Sequence, residues 1–199
     1  MVRVTLVLLI ASAVALAQEY GETKNEFSHW YGVSFGSGHV FGFAQDRRLY
    51  VANVRYGRSF ANIKSIKVRY TAEITPVAVL SEPYAGGVAT LGVGTSREYI
   101  YGGGFSPLGL QINFRDRKRM QPVLDSNAGA LWFTRPVLSP EASGFNFTIH
   151  LGFGLQMFVS QTRAVTVGYR YHHMSTANIT DRNPGTDSHM VYVRFSVFR

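Results

Sequence analysis

Apolar and polar side chains alternate along much of the chain with a period of two residues, which is the period of a β-strand. The clearest stretch is residues 145–157, FNFTIHLGFGLQM, where odd positions are apolar and even positions are small or polar. In residues 66–75, IKVRYTAEIT, the even positions are apolar and the odd positions carry Thr or charges of both signs. The pattern predicts strands with one apolar face, and in the second case an opposite face of paired charges.

Six further stretches show the same alternation more weakly. They are residues 30–36, 49–60, 98–114, 121–134, 165–173 and 189–197. Within residues 98–114 the apolar parity changes at Ser106-Pro107, which predicts a β-bulge. No helical period is sustained, so we predict an all-β chain. Eight strands are about the smallest number that closes into a barrel whose interior side chains can fill.

The connections between these strands alternate in length. Those at residues 61–65, 115–119 and 160–162 are short, and those at 37–48, 80–97, 136–144 and 174–188 are longer. Short periplasmic turns and long outer loops are typical of outer-membrane barrels. We therefore predict an eight-stranded antiparallel transmembrane β-barrel with its apolar face outward. A soluble sandwich or lipocalin-like barrel stays open as an alternative, because parity alone does not say whether the apolar face points in or out.

Residues 1–17 have the form of a secretory signal peptide. Arg3 supplies a charge, residues 6–16 form a short apolar core, and Ala15-Leu16-Ala17 places small residues at the two positions that a signal peptidase reads. A short membrane anchor is the alternative, although the apolar core is short for a span. We expect one mature domain, residues 18–199, located in the outer membrane.

The net charge of +8 and the absence of cysteine limit which binding partners, metal sites and covalent cross-links the chain can have. Without cysteine there is no disulfide framework and no thiolate metal site. Such a charge would suit nucleic acid in the cytosol, but in an exported protein it favours anionic headgroups or lipopolysaccharide phosphate, so we expect no nucleic-acid partner. Arginines near the expected outer rim could either hold these phosphates or simply face water. They are Arg47, Arg48, Arg97, Arg135 and Arg182.

A base, a hydroxyl and an acid occur together near the C-terminus. His173 and Ser175 follow one strand and Asp187 precedes the last, all with the parity of neighbouring apolar residues, whereas His172 has lumen parity. Residues two apart on a strand point to the same face and have Cα atoms about 6.6 Å apart. At that separation an imidazole can reach a hydroxyl and activate it. A hydrolytic group on the apolar face makes sense for a lipid substrate. The alternatives are that Ser175 is an ordinary loop residue and that His189 is an interfacial anchor.

The segment GYRYHHMSTANITDRNPGTDS, residues 168–188, resembles the signature of the outer-membrane lipid A 3-O-deacylases, the PagL family. It contains His-x-Ser at residues 173–175, Asn-Pro-Gly at 183–185 and an acid fourteen positions after the histidine. The upstream segments PLGLQINF and FNFTIHLGFGLQMF are also similar to strands of that family. Two departures are an Asp at 187 where the family has Glu, and Thr176 where Asn usually follows the serine.

The resemblance implies an outer-membrane esterase that hydrolyses the ester-linked 3-hydroxyacyl chain of lipid A without a metal or cofactor. It implies that Ser175 is the nucleophile, His173 the general base and Asp187 the acid that orients the imidazole. It also implies oxyanion or substrate-binding residues, which are Asn183, Gly185, Asn178 and Arg182. The alternative is a non-catalytic small barrel with a structural or lipid-binding role. The sequence leaves open whether the chain forms a homodimer.

Overall fold

Eight antiparallel strands form a closed barrel. The computed structural model describes residues 19–38, 40–44, 46–83, 97–179 and 185–199, so the predicted signal peptide lies outside the described residues. The strands are β1 (Asn25–Gly38), β2 (Arg48–Ile63), β3 (Ile66–Pro83), β4 (Arg97–Phe114), β5 (Met120–Phe133), β6 (Phe145–Ser160), β7 (Arg163–Ser175) and β8 (Thr186–Phe198). Each strand pairs with the next, and β8 pairs with β1. The predicted eight-stranded antiparallel barrel is confirmed.

The strands follow the alternating stretches of the sequence, but β1 and β3 are clearly longer than predicted, and β1 begins at Asn25 and not at residue 30. The predicted bulge is present, because the register between β4 and β5 shifts between Phe105 and Leu108. The prediction that β3 ends at Thr75, before Pro76, is wrong, since the strand continues to Pro83. The pairing of β3 with β4 shifts just after Thr75. A bulge of this kind accommodates a proline, which has no N–H to give to the ladder.

Large apolar side chains cover the outside of the barrel. In β6 the odd-numbered residues Phe147, Ile149, Leu151 and Phe153 are exposed, whereas the even-numbered His150 is buried. A closed barrel leaves no edge unpaired, and an apolar outer face suits hydrocarbon surroundings. The apolar face therefore points outward, contrary to the soluble alternative. No helix among the described residues is long and apolar enough to cross a membrane, a finding that does not bear on crossing by strands.

Buried ion pairs fill the middle of the lumen. Arg55 Nε lies 3.3 Å from Glu73 Oε1, and Arg170 Nη2 lies 3.3 Å from Asp125 Oδ2. Arg194 Nη1 lies 3.4 Å from the same oxygen of Asp125. These contacts confirm the polar interior predicted from the charges of both signs. Because each charge is removed from water, it is tolerated through its oppositely charged neighbours.

Apolar clusters lie toward both ends of the lumen, which the expectation of a polar interior did not include. Toward the short turns, the rings of Phe158 and Phe198 are 5.0 Å apart, and Tyr20 packs on Phe158 at 5.7 Å. From the middle toward the outer rim lies a cluster formed by Trp30, Ala44, Leu49, Val51, Ala78, Leu80, Ile100, Leu131, Phe133, Val137, Leu138, Met174, Met190 and Tyr192. Since Met174 and Met190 belong to β7 and β8, this cluster supports the outer ends of those strands from inside.

Candidate active site

His173 and Asp187 form a close pair across two neighbouring strands. They lie directly opposite each other in the register of β7 and β8, and Nδ1 of His173 is 2.7 Å from Oδ1 of Asp187. An ionised carboxylate accepts hydrogen bonds but does not donate them, so we assign the hydrogen to Nδ1. In the neutral imidazole Nε2 then keeps its lone pair. This is the tautomer that a general base needs in order to take a proton from a hydroxyl.

A segment of the β1–β2 loop, residues 40–44, covers the other side of the carboxylate. The backbone N–H groups of Val40, Phe41 and Gly42 donate to Oδ2 of Asp187 at 2.8, 2.8 and 3.0 Å. Together with His173, they give the carboxylate four donors. Asp187 is fully buried, so these donors replace the water that would otherwise solvate its charge.

Ser175 is the last residue of β7 and is half-buried. It lies two residues after His173 on the same face of the strand, opposite Phe147 of β6. Ser175 and His173 both belong to the described part of the chain, and no hydrogen bond joins Ser175 Oγ to the imidazole. In enzymes without a bound substrate such contacts are often long and shorten when the reacting group is seated.

The pair and the serine have the parity of the outer face. In β7 the odd-numbered Val167 is exposed and the even-numbered Arg170 is buried in the lumen. In β8, Asp187 shares the parity of exposed Val191 and is buried beneath the loop, not within the barrel. His172 lines a lumen cavity of about 20 Å³, as its parity predicted.

The chain turns sharply after Ser175. Ala177 and Asn178 both have positive φ, 51° and 61°, and the N–H of Ile179 donates to the carbonyl of Thr176 at 3.1 Å. These are features of a type I′ turn. Asn tolerates the left-handed region, whereas Ala adopts it at a cost of about 1–2 kcal/mol. Asn178, predicted to contact substrate, is exposed in this turn beside the serine.

Of the other predicted substrate-binding residues, Asn183 and Arg182 lie outside the described residues. Gly185 is described and has a φ of 55°. Its carbonyl accepts a hydrogen bond from the N–H of Ala44 at 3.0 Å. A Cβ added to Gly185 would lie 3.2 Å from Cε1 of His173, so the glycine leaves room for the imidazole.

Three of the arginines predicted at the outer rim are paired with carboxylates. The pairs are Arg47 Nε with Glu82 Oε2 at 3.2 Å, Arg97 Nη1 with Asp46 Oδ1 at 2.9 Å, and Arg135 Nη2 with Glu98 Oε2 at 2.7 Å. Each carboxylate neutralises part of the charge that a phosphate would meet, which favours a structural role for these arginines. The described residues include no group of three or more His, Asp or Glu arranged to bind a metal ion.

An apolar groove of about 470 Å³ runs along the outside of β4, β5 and β6. Its floor is formed by Ala128 and Ala130, whose short side chains lie between larger neighbours on both adjoining strands. Phe105 on β4 and Phe147 on β6 form its walls. Because Phe147 is also the register partner of Ser175, the groove begins one strand away from the serine.

The loop segment 40–44 is the part of the site that the sequence did not predict. Its contacts to Asp187 are made by backbone N–H groups, which every residue except proline possesses, so no side-chain type marks them. One available signal was Gly42, which stands between two phenylalanines. A Cβ at Gly42 would lie 2.6 Å from the Cα of Thr186, which explains why a glycine is needed there.

Comparison with known proteins gives a family match and several structural matches. A family model described as "Lipid A 3-O-deacylase (PagL)" matches residues 64–196. A search of curated protein sequences gives no match. The outer membrane enzyme PagL is a structural match with 16% identity and a TM-score of 0.60, over 85% of this chain and 97% of that chain. Neisserial surface protein A matches with 10% identity and a TM-score of 0.50, over 87% and 97%. At these identities the structural matches support the fold.

Proposed function

The chain belongs to the lipid A 3-O-deacylase (PagL) family, and from that premise we propose that it hydrolyses the ester-linked 3-hydroxyacyl chain of lipid A by a Ser-His-Asp mechanism. The family resemblance of residues 168–188 and the predicted outer-membrane location are confirmed by this membership and by the barrel. The mechanism rests chiefly on one observation, the 2.7 Å contact between His173 Nδ1 and Asp187 Oδ1 on the apolar outer face.

In the proposed reaction Ser175 Oγ attacks the carbonyl carbon of the ester, and Nε2 of His173 takes the hydroxyl proton. The same nitrogen then gives that proton to the sugar oxygen as the carbon–oxygen bond breaks, which leaves the acyl group on the serine. Water activated by His173 hydrolyses this acyl-serine and frees the 3-hydroxy fatty acid. Asp187 stabilises the imidazolium that forms in each half-reaction.

The negative charge that develops on the carbonyl oxygen needs a donor. Asn183 is our proposed side-chain donor, because its amide can supply a hydrogen bond of a kind worth about 3 kcal/mol in the transition state. Its position in the Asn-Pro-Gly segment supports the assignment. Gly185, two residues later in the sequence, lies against the imidazole of His173.

The surroundings of the trio favour a membrane lipid as the substrate. The outward parity of His173 and Ser175 directs the reaction toward the hydrocarbon side of the barrel. The groove on β4 to β6 offers an apolar surface of the shape that an acyl chain fills, one strand from Ser175. The net charge of +8 is suited to the phosphorylated sugar of lipid A.

The test is incubation of the purified, folded protein with lipopolysaccharide in detergent, followed by mass spectrometry of the lipid A. We expect the loss of one 3-hydroxyacyl mass. Ser175→Ala and His173→Ala should abolish that loss, because each removes a group that forms or breaks a bond.

Matched controls separate chemistry from folding. Ser65→Ala changes a serine in an exposed turn, and His29→Ala changes a histidine that stacks on Phe195 away from the site. Both should retain activity, and all four variants should keep the heat-modifiable migration of a folded barrel. If the wild-type protein removes no acyl chain across several acylation patterns, the non-catalytic alternative replaces this proposal.

A further inference from the structure

The two oxygens of the Asp187 carboxylate have separate partners. Oδ2 accepts the N–H groups of three consecutive residues of the β1–β2 loop, while Oδ1 is left for His173. Successive backbone N–H groups that converge in this way form a concave anion-binding site. Because the final torsion of an aspartate side chain is broad, the carboxylate plane would turn easily without such partners. The loop therefore selects the orientation in which Oδ1 faces the imidazole.

The loop segment 40–44 is itself docked onto the start of β8. The N–H of Ala44 donates to the carbonyl of Gly185 at 3.0 Å, and Thr186 Oγ1 donates to the carbonyl of Ala44 at 3.2 Å. At Gly42 the two backbones come so close that a Cβ would lie 2.7 Å from the N of Asp187. An alanine at this position would push the loop away from the carboxylate.

Phe41 extends the contact from the acid to the base. Its ring centroid lies 5.9 Å from that of His173 with the planes at 75°, and 6.5 Å from that of Tyr171. An edge-to-face aromatic contact of this kind restricts the tilt of the imidazole. One loop segment therefore contacts both members of the pair, through its backbone and through one side chain.

We propose that the β1–β2 loop segment 40–44 is a positioning element of the active site, with Gly42 as the residue that allows its backbone to hold Asp187 in place for His173. This inference rests on the proposed role of Asp187 as the orienting acid. The loop residues contact the acid and the base and take no part in bond making.

The first measurement is a double-mutant cycle on lipid A hydrolysis with the full-length protein. Gly42→Ala should lower kcat by about 10- to 100-fold, as expected for misplaced catalytic groups, and leave KM within about twofold. In the Asp187→Ala background the same change should lower kcat no further, because the interaction it disturbs is already gone. A loss of equal size in both backgrounds would overturn the proposal, since general destabilisation acts regardless of Asp187.

Gly57→Ala is the matched control. It adds the same methyl group in β2, where the nearest heavy atom to the new Cβ is 3.5 Å away, an ordinary contact distance. Its kcat should equal that of the wild type. Heat-modifiable migration should be the same for Gly57→Ala and Gly42→Ala.

Hydrogen exchange of the backbone amides provides a readout that does not depend on activity. The amides of residues 40–42 should be protected in the wild type and should exchange faster in Asp187→Ala, while the β-ladder amides of β1 stay protected. If exchange at residues 40–42 is unchanged, the loop does not hold the carboxylate, and the proposal fails. If exchange changes but Asp187→Ala keeps full kcat, the assigned role of Asp187 fails and the loop is not a positioning element for catalysis.

Discussion

Asp187 carries its charge where water does not reach. The ionised carboxylate is therefore stabilised by the hydrogen-bond donors that contact it. The carboxylate has acceptor sites alone, and the four groups that hydrogen-bond to it at 2.7–3.0 Å within the described part of the chain are all donors. An amide of the same shape differs in having one acceptor oxygen and one NH₂ donor. Whichever way an amide turned at this position, its NH₂ would face either the loop N–H groups or the N–H of His173.

Asp187→Asn should therefore lower kcat strongly even though it preserves size. We expect a fall of at least about 100-fold, because the imidazole loses the charge that stabilises its protonated form and the partner that fixes its tautomer. The measurement is kcat for release of 3-hydroxy fatty acid from lipid A. Asp46→Asn, at an exposed carboxylate of the outer rim, is the control and should leave kcat unchanged. Full activity in Asp187→Asn would remove Asp187 from the mechanism.

At the scale of single residues, the sequence predicted that His173 and Asp187 meet, and it did not predict how the carboxylate is held. Parity placed His173 and Asp187 on the outward face, because strand geometry converts spacing into direction, and the fourteen-residue interval of the family that the segment resembles implied their pairing. The loop N–H groups correspond to no sequence pattern, since every residue type except proline has a backbone N–H donor. The structure shows no hydrogen bond between Ser175 and His173, contrary to the expectation that the imidazole reaches the hydroxyl, because a shared strand face fixes the direction of two side chains and not their rotamers.

Among the strands, β5 differs from its neighbours in the size of its outward side chains. Ala128 pairs with Leu108 of β4 and Ile149 of β6. Ala130 pairs with Phe105 of β4 and Phe147 of β6. Two small residues between two rows of large ones create a channel along the outside of the barrel. This depression is therefore a property of neighbouring strands in register and not of any single residue.

Filling the groove should impair binding more than chemistry. Ala128→Leu adds three carbons to the floor and should raise KM for lipid A several-fold while kcat changes little, because the proposed function assigns the groove to the acyl chain and not to the ester. Steady-state kinetics in mixed micelles measure both constants. The control is Ala72→Leu, a half-buried alanine on the outside of β3, which should leave KM unchanged. An unchanged KM in Ala128→Leu would show that the acyl chain lies elsewhere.

Strand positions were predictable where apolar and polar residues alternate regularly in the sequence. Where charges and apolar residues alternate, as in residues 66–75, both the strand and its inward face emerged correctly. The continuation of β3 through Pro76 was missed, because proline usually ends a central strand and the pairing shift that tolerates it is a property of β4 as well. The groove was missed for the same reason, since it requires the register of three strands.

Across the whole barrel, Asp125 is a point where side chains from four strands meet. It lies on β5 and receives Arg170 of β7 at 3.3 Å and Arg194 of β8 at 3.4 Å. His150 of β6 approaches it at 3.8 Å, and the hydroxyl of Tyr192 donates to it at 3.4 Å. Removing this charge would leave two guanidinium groups buried without their shared carboxylate.

Asp125→Asn should consequently lower the free energy of unfolding by about 3–5 kcal/mol, the range for breaking a buried ion pair from one side. Urea titration of the barrel in detergent micelles, followed by tryptophan fluorescence, measures the difference. Asp46→Asn breaks an exposed rim pair with Arg97 and should cost less than about 1 kcal/mol. If the two variants lose similar amounts, the central network does not stabilise the barrel in the way its burial implies.

The outward parity of His173 and Ser175 on a barrel with a packed interior also determines how reactants travel. In the proposed reaction, a lipid approaches these side chains sideways through its own leaflet, and the released fatty acid departs by the same two-dimensional route. Turnover then depends on the mole fraction of lipid A among its neighbours, and dilution by inert lipid slows the reaction even when the bulk amount of substrate is constant. The crowding and fluidity of the leaflet thus become part of the kinetics.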